Sequence, residues 1–224
     1  MESIKNIKQN SYDYLLHIIR TTSYVALPLM AMITWILGVS VIVFGSIRSN
    51  VDQASDFIET FVLFSLPMLI FFVVLPILIK IKTDGKSLDD LGLCFHPNKR
   101  NITILVANIA FLSAVCVMFC IQASEGANQL IAIIVHILAI GISEEIMIRC
   151  IIYDELRRKY SIAVSVIVSS LVFAIVYHSG DGLIPNMLIR FPLGLVLAII
   201  RVWTKNIYSS IVMHSWYNML MLII

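Results

Sequence analysis

Long apolar runs alternate with short charged intervals along the whole of this 224-residue chain. A transmembrane helix needs about 20 consecutive, mostly apolar residues. Runs close to that length cover residues 24–47, 60–79, 101–124, 126–143, 160–180, 183–200 and 206–224. The fourth run continues as a helix into charged residues as far as 149, and a single arginine interrupts the sixth. The pattern predicts an all-α fold, a polytopic transmembrane helical bundle with about seven spans.

The composition supports a membrane protein and excludes several other classes. Hydrophobic residues make up 59% of the chain and charged residues only 13%, whereas about a quarter of an ordinary soluble domain is charged. Disordered chains are poor in apolar residues, and a net charge of +2 offers no electrostatic basis for binding nucleic acid. The four cysteines lack metal-site spacing, so we expect reduced packing residues. Without a repeat or a second domain, residues 1–224 are expected to form a single integral-membrane domain.

The charged residues between the runs predict the orientation of the chain. Basic residues cluster in alternate loops: Lys80, Lys82, Lys86, Lys99 and Arg100, then Arg157, Arg158 and Lys159, then Arg201 and Lys205. The intervening loops carry Asp52, Asp56, Glu125 and Asp181, with Arg48 as their only basic residue. Because basic loops tend to stay in the cytoplasm, we expect a cytoplasmic N-terminus and an odd number of spans. The small size and low-charge loops favour the cell membrane of a bacterium.

Residues 1–23 precede the first apolar run and mix polar with apolar positions. They predict either an amphipathic helix lying in the membrane interface or a plain cytosolic tail. The first run is too long for the apolar core of a signal peptide, so we expect it to be retained.

Ionisable side chains at membrane depth are costly, so each is a candidate functional residue. Four places qualify, with His136 as a weaker fifth: Glu144 and Glu145 with Arg149, His178, Arg190, and His214 with Asn218. Glu145 and Arg149 are four residues apart on a helix and can form an ion pair. Glu144 points about 100° away from Glu145 and has Ile148 at i+4, so it can exchange protons near neutrality. The alternative is that all three form a charge cluster at the membrane boundary.

The positions of these residues along the helices predict that four of them meet. Glu144 and His178 lie on either side of the turn near residue 160, each roughly 25 Å from it at 1.5 Å per residue. His214 lies roughly 14 Å beyond the next turn, and Asn218 follows one helical turn later. We therefore expect Glu144, His178, His214 and Asn218 to surround one polar cavity, buried but reachable from the cytosolic side.

Such a group is suited to hydrolysis. Glu144 with His178 can deprotonate a water molecule and pass the proton to a leaving amine, while His214 and Asn218 can stabilise the oxyanion. Glu144, His178 and His214 could alternatively bind zinc with an open fourth position, although they lack the H-E-x-x-H spacing. We expect Arg190 to have a structural role, with binding to Glu145 or to a substrate carboxylate as the alternative. For His136 we expect a hydrogen bond to a neighbouring span, with cavity lining as the alternative.

Several motifs resemble those of the CPBP family, the CAAX-protease and bacteriocin-processing membrane peptidases also called Abi. The family motif E-E-x-x-x-R is similar to residues 144–149, and H-x-x-x-N is similar to residues 214–218. Residues 190–200, which include Gly194, resemble the lead-in to the second motif, and S-L-D-D-L-G-L at 87–93 resembles a loop phrase that precedes the family core. The resemblance extends over residues 141–218, which we take as the catalytic core.

The family motif F-x-x-x-H is not reproduced in its usual spacing. Phe173 precedes His178 by five residues, and Ala174 occupies the expected aromatic position. In a regular α-helix this turns the Phe173 ring by about 100° from its usual direction, unless a π-bulge absorbs the extra residue.

The resemblance, which includes the type II CAAX prenyl endopeptidases, implies a glutamic peptidase without a metal cofactor. It implies water activation by Glu144 and His178 and an oxyanion site at His214 and Asn218, with Glu145 and Arg149 as structural support. The expected activity is hydrolysis of a short hydrophobic or lipidated peptide in or at the lipid bilayer. One alternative is a bacteriocin self-immunity or peptide-maturation protein of the same fold, acting with or without proteolysis. The other is a proton-coupled transporter, which would predict inverted repeats that we do not find.

Overall fold

The computed structural model describes residues 2–45, 47, 57–123 and 126–224, with side chains from residue 11 onward except that of residue 181. Within these ranges the chain is helical and has no strand. The helices are α1 (Glu2–Phe44), α2 (Phe57–Asp84), α3 (Lys99–Gln122), α4 (Ala127–Arg157), α5 (Ile162–Tyr177), α6 (Leu183–Thr204) and α7 (Tyr208–Met221). A 3₁₀ turn at Ser179–Asp181 connects α5 to α6.

This arrangement confirms the prediction of an all-α bundle with about seven helices. Among the described helices, α1, α2, α3, α4 and α6 are long and apolar enough to cross a membrane, and α5 and α7 are shorter. Because α1 is one helix from Glu2 to Phe44, residues 2–23 continue directly into the first span. Their interfacial or cytosolic location stays a prediction. The predicted loop charges Arg48, Asp52, Asp56 and Glu125 lie outside the described residues.

Stretches of π-helix interrupt several of these helices. The π-helical hydrogen bond spans five residues, and such turns are rare and often lie at functional sites. The described chain has them at Phe61–Ser65 and Ile70–Val74 in α2, Ile146–Ile152 in α4, Phe173–Tyr177 in α5 and Asn186–Arg190 in α6. Those in α2 each end two residues before a proline, whose missing N–H disrupts the α-helical pattern. The stretch in α4 directly follows Glu145, the one in α5 directly precedes His178, and the one in α6 contains Arg190.

Glycines allow the helices that carry the candidate residues to approach closely. A Cβ atom at Gly194 of α6 would lie 3.1 Å from Cδ1 of Phe173 and 3.2 Å from Cβ of Ser170 on α5. A Cβ atom at Gly141 of α4 would collide with the Ser215 hydroxyl of α7. Small residues at such crossings favour helix packing in membranes. The two glycines thus bring α4, α5, α6 and α7 together around Phe173 and the two glutamates.

We define the basic end as the end of the bundle formed by the α2–α3, α4–α5 and α6–α7 connections. A buried ion-pair network lies there. The Nζ atom of Lys80, which has no exposed surface, is 3.0 Å from Asp154 and 2.7 Å from Glu155. Arg20 of α1 pairs with Asp84 and, at 3.3 Å, with Glu155. The network therefore ties the first helix to α2 and α4 at the end that carries the predicted cytosolic loops.

The loop between α2 and α3 packs across this basic end. Leu91 is 1% exposed and contacts Ile146 and Ile207 in one apolar cluster. Gly92 has a φ angle of +73°, where a Cβ atom would collide with the guanidinium of Arg201. The backbone N–H of Ile207 donates to the Gly92 carbonyl oxygen at 3.1 Å. The 87–93 loop phrase thus has a packing role that covers α4 and α7 at the basic end.

Candidate active site

Glu144 lies between two histidines inside the bundle. Its Oε2 atom is 3.5 Å from Nε2 of His178 and 3.8 Å from Nε2 of His214. Glu144 is 8% exposed and His214 has no exposed surface. The predicted common level of Glu144 and His178 is therefore confirmed, and α4, α5 and α7 each bring one of these side chains to the same point.

Glu145 connects its predicted partner Arg149 with His214. The Glu145 carboxylate has no exposed surface. One of its oxygens is 3.4 Å from Nε of Arg149, and the other accepts a hydrogen bond from Nδ1 of His214 at 3.2 Å. The ion pair between Glu145 and Arg149 agrees with the prediction, whereas the hydrogen bond between Glu145 and His214 was not predicted. Because Nδ1 donates to Glu145, the imidazole is oriented with Nε2 toward Glu144.

Phe173 packs against both histidines. Its ring centroid is 4.8 Å from that of His178 and 5.4 Å from that of His214, and Cζ of Arg149 lies 5.5 Å from it on a third side. Of the two alternatives predicted for this spacing, the structure has the π-bulge, because Phe173–Tyr177 forms a π-helix. A π-helix closes hydrogen bonds between residues five apart, and this wider turn absorbs the extra residue between Phe173 and His178.

His178 is positioned by a buried amide that sequence reasoning missed. The side chain of Asn186 is 3% exposed, and its Nδ2 donates to the backbone carbonyl oxygen of His178 at 2.6 Å. Between them Gly182 has a φ angle of +84°, which reverses the chain from α5 into α6. The available signal was an amide within an apolar stretch, because buried polar groups need hydrogen-bond partners.

A cavity of about 420 Å³ opens beside Glu144. Its lining comes from α4, the end of α5, the α5–α6 turn, α6 and the end of α7: Ile133, His136, Ile137, Ile140, Glu144, Tyr177, His178, Arg190, Asn218, Met221 and Leu222. Three of the four predicted catalytic residues therefore line one cavity, which has mainly apolar walls. His214 is not in the lining and approaches Glu144 from the protein interior.

His136 and Arg190 both reach this cavity. Nδ1 of His136 is 3.1 Å from the hydroxyl of Ser65, so the predicted hydrogen bond to a neighbouring span and the alternative of cavity lining are both present. Arg190, for which we expected a structural role, lines the cavity with its Cζ atom 5.9 Å from the Tyr217 ring. The structure does not support the alternative that Arg190 neutralises Glu145, because Glu145 pairs with Arg149.

The cavity opens away from the basic end. On α4 its lining residues precede Glu144, whereas every residue of Ile146–Ile152, which follows toward the basic end, is buried. On α7 the lining residues Asn218, Met221 and Leu222 follow His214 toward the opposite end. The expectation that the site is reachable from the predicted cytosolic side is therefore wrong. The helix positions predicted the level of the site correctly. The packed side chains of residues 146–152 close the route from the basic end to Glu144.

In the part of the chain that the structure describes, no group of three or more His, Cys, Asp or Glu side chains has an arrangement that could hold a metal ion. The zinc alternative for Glu144, His178 and His214 thus gains no geometric support, and it stays a prediction for chelation to test.

The helical bundle and its buried Glu–His cluster define a multi-pass membrane protein with a polar site among its apolar helices. Residues 126–220 match the family model described as Rce1-like, Type II CAAX prenyl endopeptidase Rce1-like. The match covers less than half of the chain; it includes both the E-E-x-x-x-R and the H-x-x-x-N motifs and supports the resemblance to CAAX proteases. Comparisons with curated proteins and with solved structures gave no match.

Proposed function

We propose that the protein is a glutamate-dependent intramembrane endopeptidase that hydrolyses a peptide bond in a short hydrophobic or lipidated peptide. The observation that carries the proposal is the 3.5 Å approach of Glu144 Oε2 to His178 Nε2 at the wall of a largely apolar cavity. The family match supports peptide hydrolysis as the reaction class. The apolar walls, which include Ile133, Ile137 and Ile140, favour a hydrophobic segment as the substrate.

Glu144 and His178 are assigned to water activation. A water molecule beside Oε2 of Glu144 would transfer a proton to this pair while its oxygen attacks the scissile carbonyl carbon. The tetrahedral intermediate then expels the amine, which takes up the proton as the C–N bond breaks. The products are a carboxylic acid and an amine, and no proton or electron is left over.

Asn218 and His214 are assigned to the oxyanion. Asn218 lines the cavity and can donate an amide N–H directly. His214 already donates through Nδ1 to Glu145, so only a doubly protonated ring can also donate through Nε2. The carboxylate of Glu145 supports that imidazolium. We therefore assign Glu145 a second role besides pairing with Arg149: it holds His214 in the orientation and charge state that the transition state needs.

The test is a cleavage assay on purified protein in detergent with a quenched fluorescent peptide library. We expect the wild-type protein to cleave members with apolar segments and Glu144→Ala to lose at least about 10²-fold in rate, while chromatography shows a folded protein. We expect no effect of a chelator. Loss of activity on chelation would replace the glutamate mechanism by the zinc alternative.

A bacteriocin challenge separates proteolysis from immunity by binding alone. Cells that produce the wild-type protein or Glu144→Ala are exposed to a panel of bacteriocins. If the purified wild-type protein cleaves nothing and both forms protect the cells equally, the endopeptidase proposal is overturned in favour of the non-proteolytic alternative.

A further inference from the structure

We propose that the cavity faces the extracytoplasmic side of the membrane, so that the enzyme acts on peptides that have already been exported or are exposed at the outer leaflet. The inference rests on the proposed function, because it assigns the side of the membrane to which that active site opens. Three observations carry it: the contacts that gather the basic residues at one end, the position of the cavity mouth at the other, and the closed packing between them.

The structure assembles the predicted cytosolic segments into one surface. Arg20 of α1 contacts Glu155, which also contacts Lys80. At the start of α3, Nδ2 of Asn101 donates to the carbonyl oxygen of Thr204 at the end of α6, at 3.0 Å. These contacts place the basic flanks of α1, α2, α3, α4 and α6 at the basic end, from which α5 and α7 begin.

Lysine and arginine are concentrated at this end. Where side chains are described, the basic end carries Arg20, Lys80, Lys82, Lys86, Lys99, Arg100, Arg157, Arg158, Lys159, Arg201 and Lys205. The other described basic residues, Arg149 and Arg190, lie at the candidate site. The positive-inside rule assigns the end richer in lysine and arginine to the cytoplasm. The opposite end, with the Ser179–Asp181 turn, then faces outward.

The cavity mouth belongs to that opposite end. His178 directly precedes the Ser179–Asp181 turn, and the lining residue Leu222 near the chain terminus is 57% exposed. Toward the basic end, Met147, Ile148, Ile151 and Ile152 have no exposed surface. A peptide can therefore approach Glu144 from the outer side, whereas the route from the cytoplasm is filled by side chains. Translocation or membrane insertion of the substrate must precede its cleavage.

Cysteine labelling in intact cells tests the orientation. In a background with Cys94→Ser, Cys116→Ala, Cys120→Ala and Cys150→Ala, single cysteines are placed by Gly180→Cys and Lys82→Cys. Both positions are exposed, and a Cβ atom at Gly180 meets nothing within 4 Å. We expect a membrane-impermeant maleimide to label position 180 in intact cells and position 82 only after permeabilisation. Labelling of position 82 in intact cells, or no labelling of position 180 under any condition, would overturn the inference.

A second measurement uses the wild-type chain, in case the cysteine-free background folds poorly. A C-terminal phosphatase that is active only outside the cytoplasm should be active, and a C-terminal fluorescent protein that folds only inside should be dark. The reverse result would overturn the orientation.

An activity measurement distinguishes failure of this inference from failure of the proposed function. The quenched peptide that purified wild-type protein cleaves fastest is added, in a membrane-impermeant form, to spheroplasts that produce the wild-type protein or Glu144→Ala. Cleavage by intact wild-type spheroplasts, but not by Glu144→Ala, supports the outward site. Cleavage that requires lysis would place the site inside and leave the peptidase intact. Absence of cleavage by purified protein would instead remove the proposed function, while the labelling result would still decide the orientation.

Discussion

Replacing Glu145 by glutamine removes one charge from an ion pair that has no contact with solvent. Glu145 has no exposed surface, and Arg149, 3.4 Å away, is 1% exposed. Leaving one member of a buried pair without its partner typically costs about 3–5 kcal/mol. The remaining contacts of Arg149, to the Ser169 hydroxyl at 3.4 Å and to the Phe173 ring, carry no charge. We therefore expect Glu145→Gln to lower the free energy of unfolding by about 3–5 kcal/mol.

The double variant Glu145→Gln/Arg149→Met provides the control, because it removes both charges. Replacing a complete buried pair by neutral groups is often nearly neutral in stability. We expect the double variant to recover most of the loss, with a coupling energy of about 2 kcal/mol or more. It should not recover peptide hydrolysis, since His214 would still lack the carboxylate that orients it.

Reversible unfolding in detergent, followed by circular dichroism for all four proteins of the cycle, measures this coupling. A Glu145→Gln variant whose stability is within about 0.5 kcal/mol of wild type, the range of an ordinary surface substitution, would refute the reasoning. So would a double variant that is less stable than both single variants.

Two further predictions concern residues that support the site. Gly194→Ala should press on the Phe173 ring, 3.1 Å from the new Cβ, which should lower the free energy of unfolding by about 1–3 kcal/mol and lower the hydrolysis rate. Gly38→Ala, whose Cβ meets nothing within 4 Å, is the matched control. Equal behaviour of the two variants in thermal unfolding would contradict this prediction. Asn186→Ala should leave the carbonyl oxygen of His178 without its hydrogen-bond donor and lower the free energy of unfolding by about 1–3 kcal/mol. It should also lower kcat more than it raises KM, and an unchanged kcat in steady-state kinetics would contradict the positioning role.

The sequence was sufficient to predict the helical bundle and the meeting of its polar residues. Long apolar runs allow little besides spanning helices in a membrane. The level of Glu144 and His178 follows from the rise per residue on either side of one turn. The Glu145–Arg149 pair follows from their spacing alone.

The contacts that complete the site could not be predicted, because they depend on tertiary packing and on irregular helix geometry. Phe173 reaches both histidines only through a π-helical turn, and no local sequence pattern distinguished that turn from a regular helix. The hydrogen bond from His214 to Glu145 joins residues that are 69 positions apart. The direction of the cavity depends on which side of Glu144 is filled by side chains, and the apolar residues on both sides have the same character in the sequence.

The most direct test of the catalytic assignment is the single-turnover rate of peptide hydrolysis by Glu144→Gln. This substitution retains the size of the side chain and removes only the proton-accepting carboxylate. Glu59→Gln is the matched control, because Glu59 is also a buried glutamate, 3% exposed, and does not line the cavity. We predict that Glu144→Gln loses about 10²–10⁴-fold in rate while Glu59→Gln remains close to wild type. A rate for Glu144→Gln within a few-fold of that control would contradict the assignment of Glu144 as the residue that activates water.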